Sequence, residues 1–260
     1  MDTVKLYGKF LAIHLKSAMA YRGSFLLSCL GAMLVPANVF LGVVFLMARF
    51  ETIQGYTLPQ LTLGFAVILM ATSLAECFAR GLDSFSQVLA QAQFDRILVR
   101  PRGLLFQLLC QDMRPTMLSR VLQAIVMLLW AVRSGAVEWT AAKALVLVLM
   151  ILCGAAVFFG LFLVNATLCF FTTEGLEVMN IFTDGPREYG KYPFGVYGKP
   201  VLLVLTFLVP LALVQHWPLQ YLLDRGPGWY GLLPVVSLLF LLPCWGLWRL
   251  GVRHYRSTGS

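Results

Sequence analysis

Charge is what this sequence has least of. Only 12% of its 260 residues are charged and 59% are hydrophobic, against about 25% charged in an ordinary soluble domain. That shortage of polar surface excludes a water-soluble globule. Cysteine pairing is lacking too. Cys29, Cys77, Cys110, Cys153, Cys169 and Cys244 are scattered, without a C-x-x-C, and most lie in apolar segments. They read as small buried hydrophobes rather than as a disulfide framework or a metal site. Catalytic signatures are missing as well. There is no H-E-x-x-H and no G-x-S-x-G, and His14, His216 and His254 sit in different segments. No short apolar core ends in a cleavage site near the start, so no cleavable signal peptide is expected.

What is present is a series of long apolar runs. A helix needs ~20 such residues to cross the hydrocarbon core. Five runs reach that length without a charge, at 23–48, 52–75, 144–173, 200–223 and 226–248. A sixth, at 116–137, is weaker. Its uncharged part is short, between Arg120 and Arg133, and both arginines would have to snorkel toward an interface. The expected fold is therefore all-α: a polytopic membrane protein of six transmembrane helices forming one domain over residues 1–260.

The basic residues orient it. The net charge of +8 would suggest nucleic acid in a soluble chain; here lysine and arginine lie mostly between the apolar runs. With six spans and a cytoplasmic N-terminus, 16 of the 20 fall inside, and Arg49, Arg133, Lys143 and Arg225 fall outside. Cytoplasmic loops hold positive charge, so both termini are placed in the cytoplasm. Without the weak third span, Arg187 to Lys199 and the C-terminal arginines would move outside. Trp130, Trp139, Trp217, Trp229 and Tyr230 then fall near the outer interface, where amphipathic rings are favoured.

Three segments lie outside the spans. Residues 2–22 read as an interfacial helix, because Lys5, Lys9 and Lys16 fall within about 40° of one another on a helix. The other reading is a plain extension of the first span. Residues 80–115 form the longest non-apolar stretch. It either holds charge inside the cell or offers a docking surface, since Phe94, Ile97 and Leu98 are out of place in a merely solvated loop. Residues 172–199 form a second cytoplasmic loop with Glu174, Glu177, Asp184 and Glu188 and many aromatics. It is too aromatic for a disordered linker, and either folds back into the membrane edge or packs on other cytoplasmic elements.

Two features invite a functional reading and lose it. Gly185-Pro186-Arg187-Glu188-Tyr189-Gly190-Lys191-Tyr192 nearly matches a phosphate-binding P-loop, but Tyr192 replaces the hydroxyl residue that would hold magnesium. Pro186 removes an amide, and no strand precedes the stretch. Glu76 is the one acid deep near a span. Arg80 lies four residues on, and a helical ion pair accounts for it without a proton pathway.

The basic amphipathic start and the stretch Phe94-Asp95-Arg96-Ile97-Leu98-Val99-Arg100-Pro101 give the chain a family resemblance. So do Thr173-Glu174-Gly175-Leu176-Glu177, Tyr192-Pro193 and Thr206-Phe207-Leu208-Val209-Pro210. The chain resembles the permease subunits of type-2 ABC transporters, in a bacterial exporter branch. The resemblance implies a multi-pass protein of the bacterial inner membrane, not itself an enzyme. It implies an ABC ATP-binding subunit, in two copies, carrying ATP and Mg, with no cofactor or metal on this chain. It implies a second permease, either a copy or a related chain. It also implies an ATPase-coupling element over about 91–101, with Gln91, Phe94, Asp95, Arg96, Ile97, Leu98, Arg100 and Pro101 as its residues. Lys5, Lys9 and Lys16 mark the interfacial helix; Glu174, Glu177, Tyr192 and Pro193 mark the second cytoplasmic loop. The competing reading is a stand-alone secondary carrier or membrane-embedded enzyme; a structural membrane anchor is a third.

Overall fold

The computed structural model describes residues 3–91, 93–172 and 177–255. Among them the chain is helical throughout, with no strands. Helix α1 (Thr3–Ala20) precedes α2 (Arg22–Arg49) and α3 (Leu58–Asp83). Three short helices follow, α4 (Phe85–Ala90), α5 (Phe94–Leu98) and α6 (Leu104–Gln111). Next come α7 (Leu118–Arg133), entered through a 3-10 turn at Pro115–Met117, and α8 (Ala141–Thr172). Then come α9 (Glu177–Thr183), α10 (Pro186–Tyr189) and α11 (Lys199–Leu203). The chain ends with α12 (Leu211–Val214), α13 (His216–Leu222), α14 (Leu233–Ser237) and α15 (Leu241–His254).

Five helical runs are long and apolar enough to cross a membrane: Arg22–Arg49, Leu58–Ala90, Pro115–Arg133, Ala141–Thr172 and Gly228–His254. The weak third span is among them. The fifth span in chain order, expected as one run over 200–223, is broken. Lys199–Leu208 and Leu211–Leu222 meet at 88°. Pro210 at the corner has no N–H to continue the ladder, and the turn before it is a π-helix, Val204–Leu208. The chain is a multi-pass membrane protein.

α3 is the central post. It packs against α7 on one side and α8 on another, and 89% of its most apolar window is buried, against 22% for α2. Its start is held where Gln60 Oε1 accepts a hydrogen bond from the Thr57 N–H, 3.2 Å away. Lipid gives no hydrophobic drive between helices, so close packing of small residues must do that work. Gly154 of α8 is such a contact: an added Cβ would lie 2.8 Å from Val214 and 2.9 Å from Ala71.

The two ends of the bundle differ. One gathers α1, α4 to α6 and the end of α15: Tyr7 of α1 meets Phe78, and Tyr255 meets Asp95. The other gathers the turns after α2, α7 and α13: Arg225 reaches Gly55 and Lys143 reaches Asp224. α1 and the end of α15 thus lie at the same end, the one where the distribution of basic residues leads the cytoplasm to be expected.

The second loop departs from a segment lying wholly outside the bundle. Gly190 abuts Ile68, and its carbonyl accepts from Gln215 Nε2 at 2.7 Å. The same amide nitrogen lies 3.3 Å from the Gly64 carbonyl. Gly195 N–H donates to His216 Nδ1 at 3.3 Å. Phe194 is wholly buried. The aromatics that made the stretch too apolar for a linker are its anchors, and Gln215 and His216 satisfy its backbone inside the bundle.

Candidate functional site

The segment expected to couple to an ATPase spans α4, α5 and α6, beyond the end of α3. α5 turns one face inward. Phe94 and Ile97 are buried, and Phe94 meets Phe85, Phe170 and Tyr255 edge-on. Phe85 and Phe170 also pack on Trp248 of α15. Polar contacts add to this. The Tyr255 hydroxyl donates to Asp95 at 3.0 Å; burial, with Asp95 beside it, pushes that phenol's pKa up. Gln107 Nε2 of α6 reaches the carbonyls of Ile97 at 3.1 Å and Arg102 at 2.9 Å.

The other face is open. Gln91, Arg96, Leu98, Val99, Arg100 and Pro101 are exposed, Val99 by 84%. The eight residues expected at this site therefore split. Phe94 and Ile97 are core anchors rather than docking residues, Asp95 is half-buried against Tyr255, and the remaining five face outward. Val99 belongs with these five. The split follows from the period of one helical turn, which puts 94 and 97 on one side.

α1 lies across the same end. Lys5, Lys9 and Lys16 are exposed, while Leu6, Phe10 and Leu15 are half-buried, as an interfacial helix requires. The Tyr7 hydroxyl donates to the Phe78 carbonyl at 2.7 Å, and burial raises its pKa to about 12. His14 Nε2 lies 3.1 Å from the Cys110 carbonyl oxygen of α6.

Just above the coupling segment sits a buried ionic hub. Glu76, 3% exposed, does pair with Arg80, at 3.3 Å. It also takes Arg120 of α7 on Oε2 and Arg187 of α10 on Oε1, each at 2.8 Å. Arg120 Nε donates to the Ala32 carbonyl of α2 at 2.8 Å. Arg80 pairs with Asp83 at 2.7 Å, Asn165 of α8 donates to Asp83 at 3.2 Å, and Arg187 also pairs with Asp184. One carboxylate thus ties α2, α3, α7 and α10 together, with three acids opposite three guanidiniums. The helical pair with Arg80 was visible in sequence; the partners 44 and 111 residues away were not.

Of the second-loop residues, Glu174 lies outside the described residues, and Glu177 is exposed in the first turn of α9. Pro193 is buried and Tyr192 half-buried. The P-loop-like stretch is the short helix α10, with Pro186 buried in its first turn. Beside it runs an open groove of about 420 Å³ against the middle of α2, where Asn38, Glu188 and Lys191 meet Leu34, Val35 and Val39. The register places this groove at mid-span twice over. Residues 34–42 are central in α2, and Gly190 sits against Ile68, ten residues into α3. Ionisable groups at that depth mark a cavity or pathway rather than a lipid-facing surface.

A bundle of membrane-crossing helices, with short helices packed at one end and charges facing a mid-span groove, has the architecture of a membrane transport subunit. Comparison with known proteins agrees: the model of the ABC-2 family transporter proteins matches residues 33–259. The chain belongs to that family, as a transmembrane permease subunit of an ABC transporter, and membership implies association with an ABC ATP-binding subunit. No curated protein and no solved structure matched.

Proposed function

We propose that this chain is the permease of an ATP-driven exporter of the bacterial inner membrane, coupled through residues 91–101 to a separate ATPase that carries ATP and Mg. The observation that carries the reading is the two-faced coupling segment. Its outer face, Leu98, Val99, Arg100 and Pro101, is free to meet a partner. Its inner face is locked to α4, α8 and the end of α15 through the aromatic cluster around Phe94. A push on the tip would therefore move the whole inner end as a rigid body rather than bend a loop. Two ATPase copies would act beneath two permeases. The mid-span groove of Asn38, Glu188 and Lys191 would face the second permease and line the pathway between them.

Co-expression with the ATPase tests this. Leu98→Asp with Val99→Asp puts two carboxylates on the tip without touching the core. The ATPase should co-purify with the wild-type chain and be lost from the double variant, while the variant stays in the membrane. Undiminished co-purification would sink the coupling assignment. Transport by the chain in the absence of any ATPase would instead favour a stand-alone carrier.

A further inference from the structure

A second feature of the inner end borders the proposed coupling element and shares Arg96 and Arg100 with it. Between α1, α5 and α6 lies a cleft of about 520 Å³. Arg96, Arg100 and Arg102 line it on one side, and Leu6, Phe10 and Phe106 form an apolar floor. Among the described residues, no carboxylate lines it. Among the described residues, none of the three arginines is within ion-pair distance of an acid. Of the tip residues only Arg100 lines it; Leu98, Val99 and Pro101 do not.

Its depth follows from α3. Tyr7, beside Leu6, bonds to the carbonyl of Phe78, five residues before α3 ends at Asp83. Gly81 abuts the backbone of Leu108 in α6. The cleft therefore sits where α3 leaves the hydrocarbon, at the level of the headgroups, with one wall made by an interfacial helix. A guanidinium matches a phosphate as a planar fork, and basic pockets at the cytoplasmic face of a helical bundle suit anionic headgroups. The floor suits the glycerol backbone and the first methylenes of an acyl chain. An acidic protein side chain would use the cations but leave the apolar floor idle.

We propose that this cleft binds an anionic phospholipid of the inner leaflet, with its phosphate held by Arg96, Arg100 and Arg102 and its upper acyl chain on Leu6, Phe10 and Phe106. The lipid would then bridge α1 to the coupling segment. Binding needs no ATPase, so the full chain in detergent suffices.

Native mass spectrometry with phosphatidylglycerol and phosphatidylcholine reads the site. The wild-type chain should prefer phosphatidylglycerol. Each arginine near the surface is worth about fivefold to an anionic lipid, so R96Q/R100Q/R102Q should weaken phosphatidylglycerol on the order of 100-fold, weaken phosphatidylcholine less, and so abolish the preference. The triple lysine variant should keep most of the preference. Phe10→Asp, which keeps every arginine, should also weaken phosphatidylglycerol, by placing a carboxylate on the floor. Equal phosphatidylglycerol binding by wild type and the triple glutamine variant overturns the proposal. So does displacement of the lipid by an equal concentration of inorganic phosphate, which would make the cleft a bare anion site. So does a triple variant that loses the ATPase subunit while binding phosphatidylglycerol normally, which would make the cleft a protein-docking surface.

Discussion

The two ends of this bundle hold their charges in opposite ways. At the inner end Glu76 is enclosed by three arginines, two of them from other elements at 2.8 Å, and every partner is mostly buried. At the outer end Lys143 meets Asp224 at 2.6 Å, but the Asp224 side chain is 67% exposed. Arg225 lies over the Tyr56 ring, 4.9 Å from its centroid, and bonds the Gly55 carbonyl. The outer contacts pin turns at a wet rim, where an ion pair is worth little. The inner hub joins helices far apart in sequence, one or two turns above the coupling segment. Polar cross-links are concentrated where a displacement of that segment would have to be shared among the spans.

Substitutions can break or sharpen that contrast. The largest effect is expected from Glu76→Gln, which leaves Arg120 and Arg187 buried without their carboxylate. Stranding buried charge costs roughly 3–5 kcal/mol, so thermal unfolding in detergent should fall steeply. Gly81→Ala comes next. Its Cβ would collide with the Leu108 carbonyl oxygen of α6, a backbone contact that cannot rotate away. Overpacking of this kind costs ~1–3 kcal/mol, and limited proteolysis should show new cleavage within 103–111. Tyr255→Phe removes one hydrogen bond to Asp95 and keeps the ring in the aromatic cluster. It should cost about 1 kcal/mol, detectable as a small drop in unfolding temperature. The smallest effect belongs to the outer end. Asp224→Asn keeps a residue that tolerates its positive φ of 55°; it takes the counter-charge from buried Lys143, but at a site open to water through exposed Asp224, so the cost should stay at about 1 kcal/mol. A loss there as large as that of Glu76→Gln would erase the contrast.

The spans were legible because hydropathy needs no tertiary knowledge. The arginine bias even supported the weak third span, which α7 and its preceding turn supply. The broken span was only half legible. Pro210 stands in the sequence, yet so does Pro36, and α2 runs on through that residue. Which proline sits at a corner depends on what packs beyond it. The re-entering second loop was signalled by its aromatics, but its depth depends on Gln215 and His216, which reach back across 25 and 21 residues. Over residues 91–101 the sequence marks the apolar side chains but not their direction. A five-residue helix gives too short a pattern to separate a face turned to the core from one turned to a partner. Tyr255 gave no sequence signal of its role, since a lone aromatic beyond the last span has many possible neighbours.

The tip of α5 is the proposed point where ATP hydrolysis meets the bundle. ATP turnover of the reconstituted complex, wild type against Val99→Asp, tests that most directly. Val99 contacts nothing in the core, so unfolding temperature should not change, while loss of a central interface residue should weaken docking by roughly 2 kcal/mol, about thirtyfold. The expected result is ATPase activity that the permease no longer stimulates, with the chain still folded in the membrane. Stimulation equal to wild type, at equal protein levels, would contradict it.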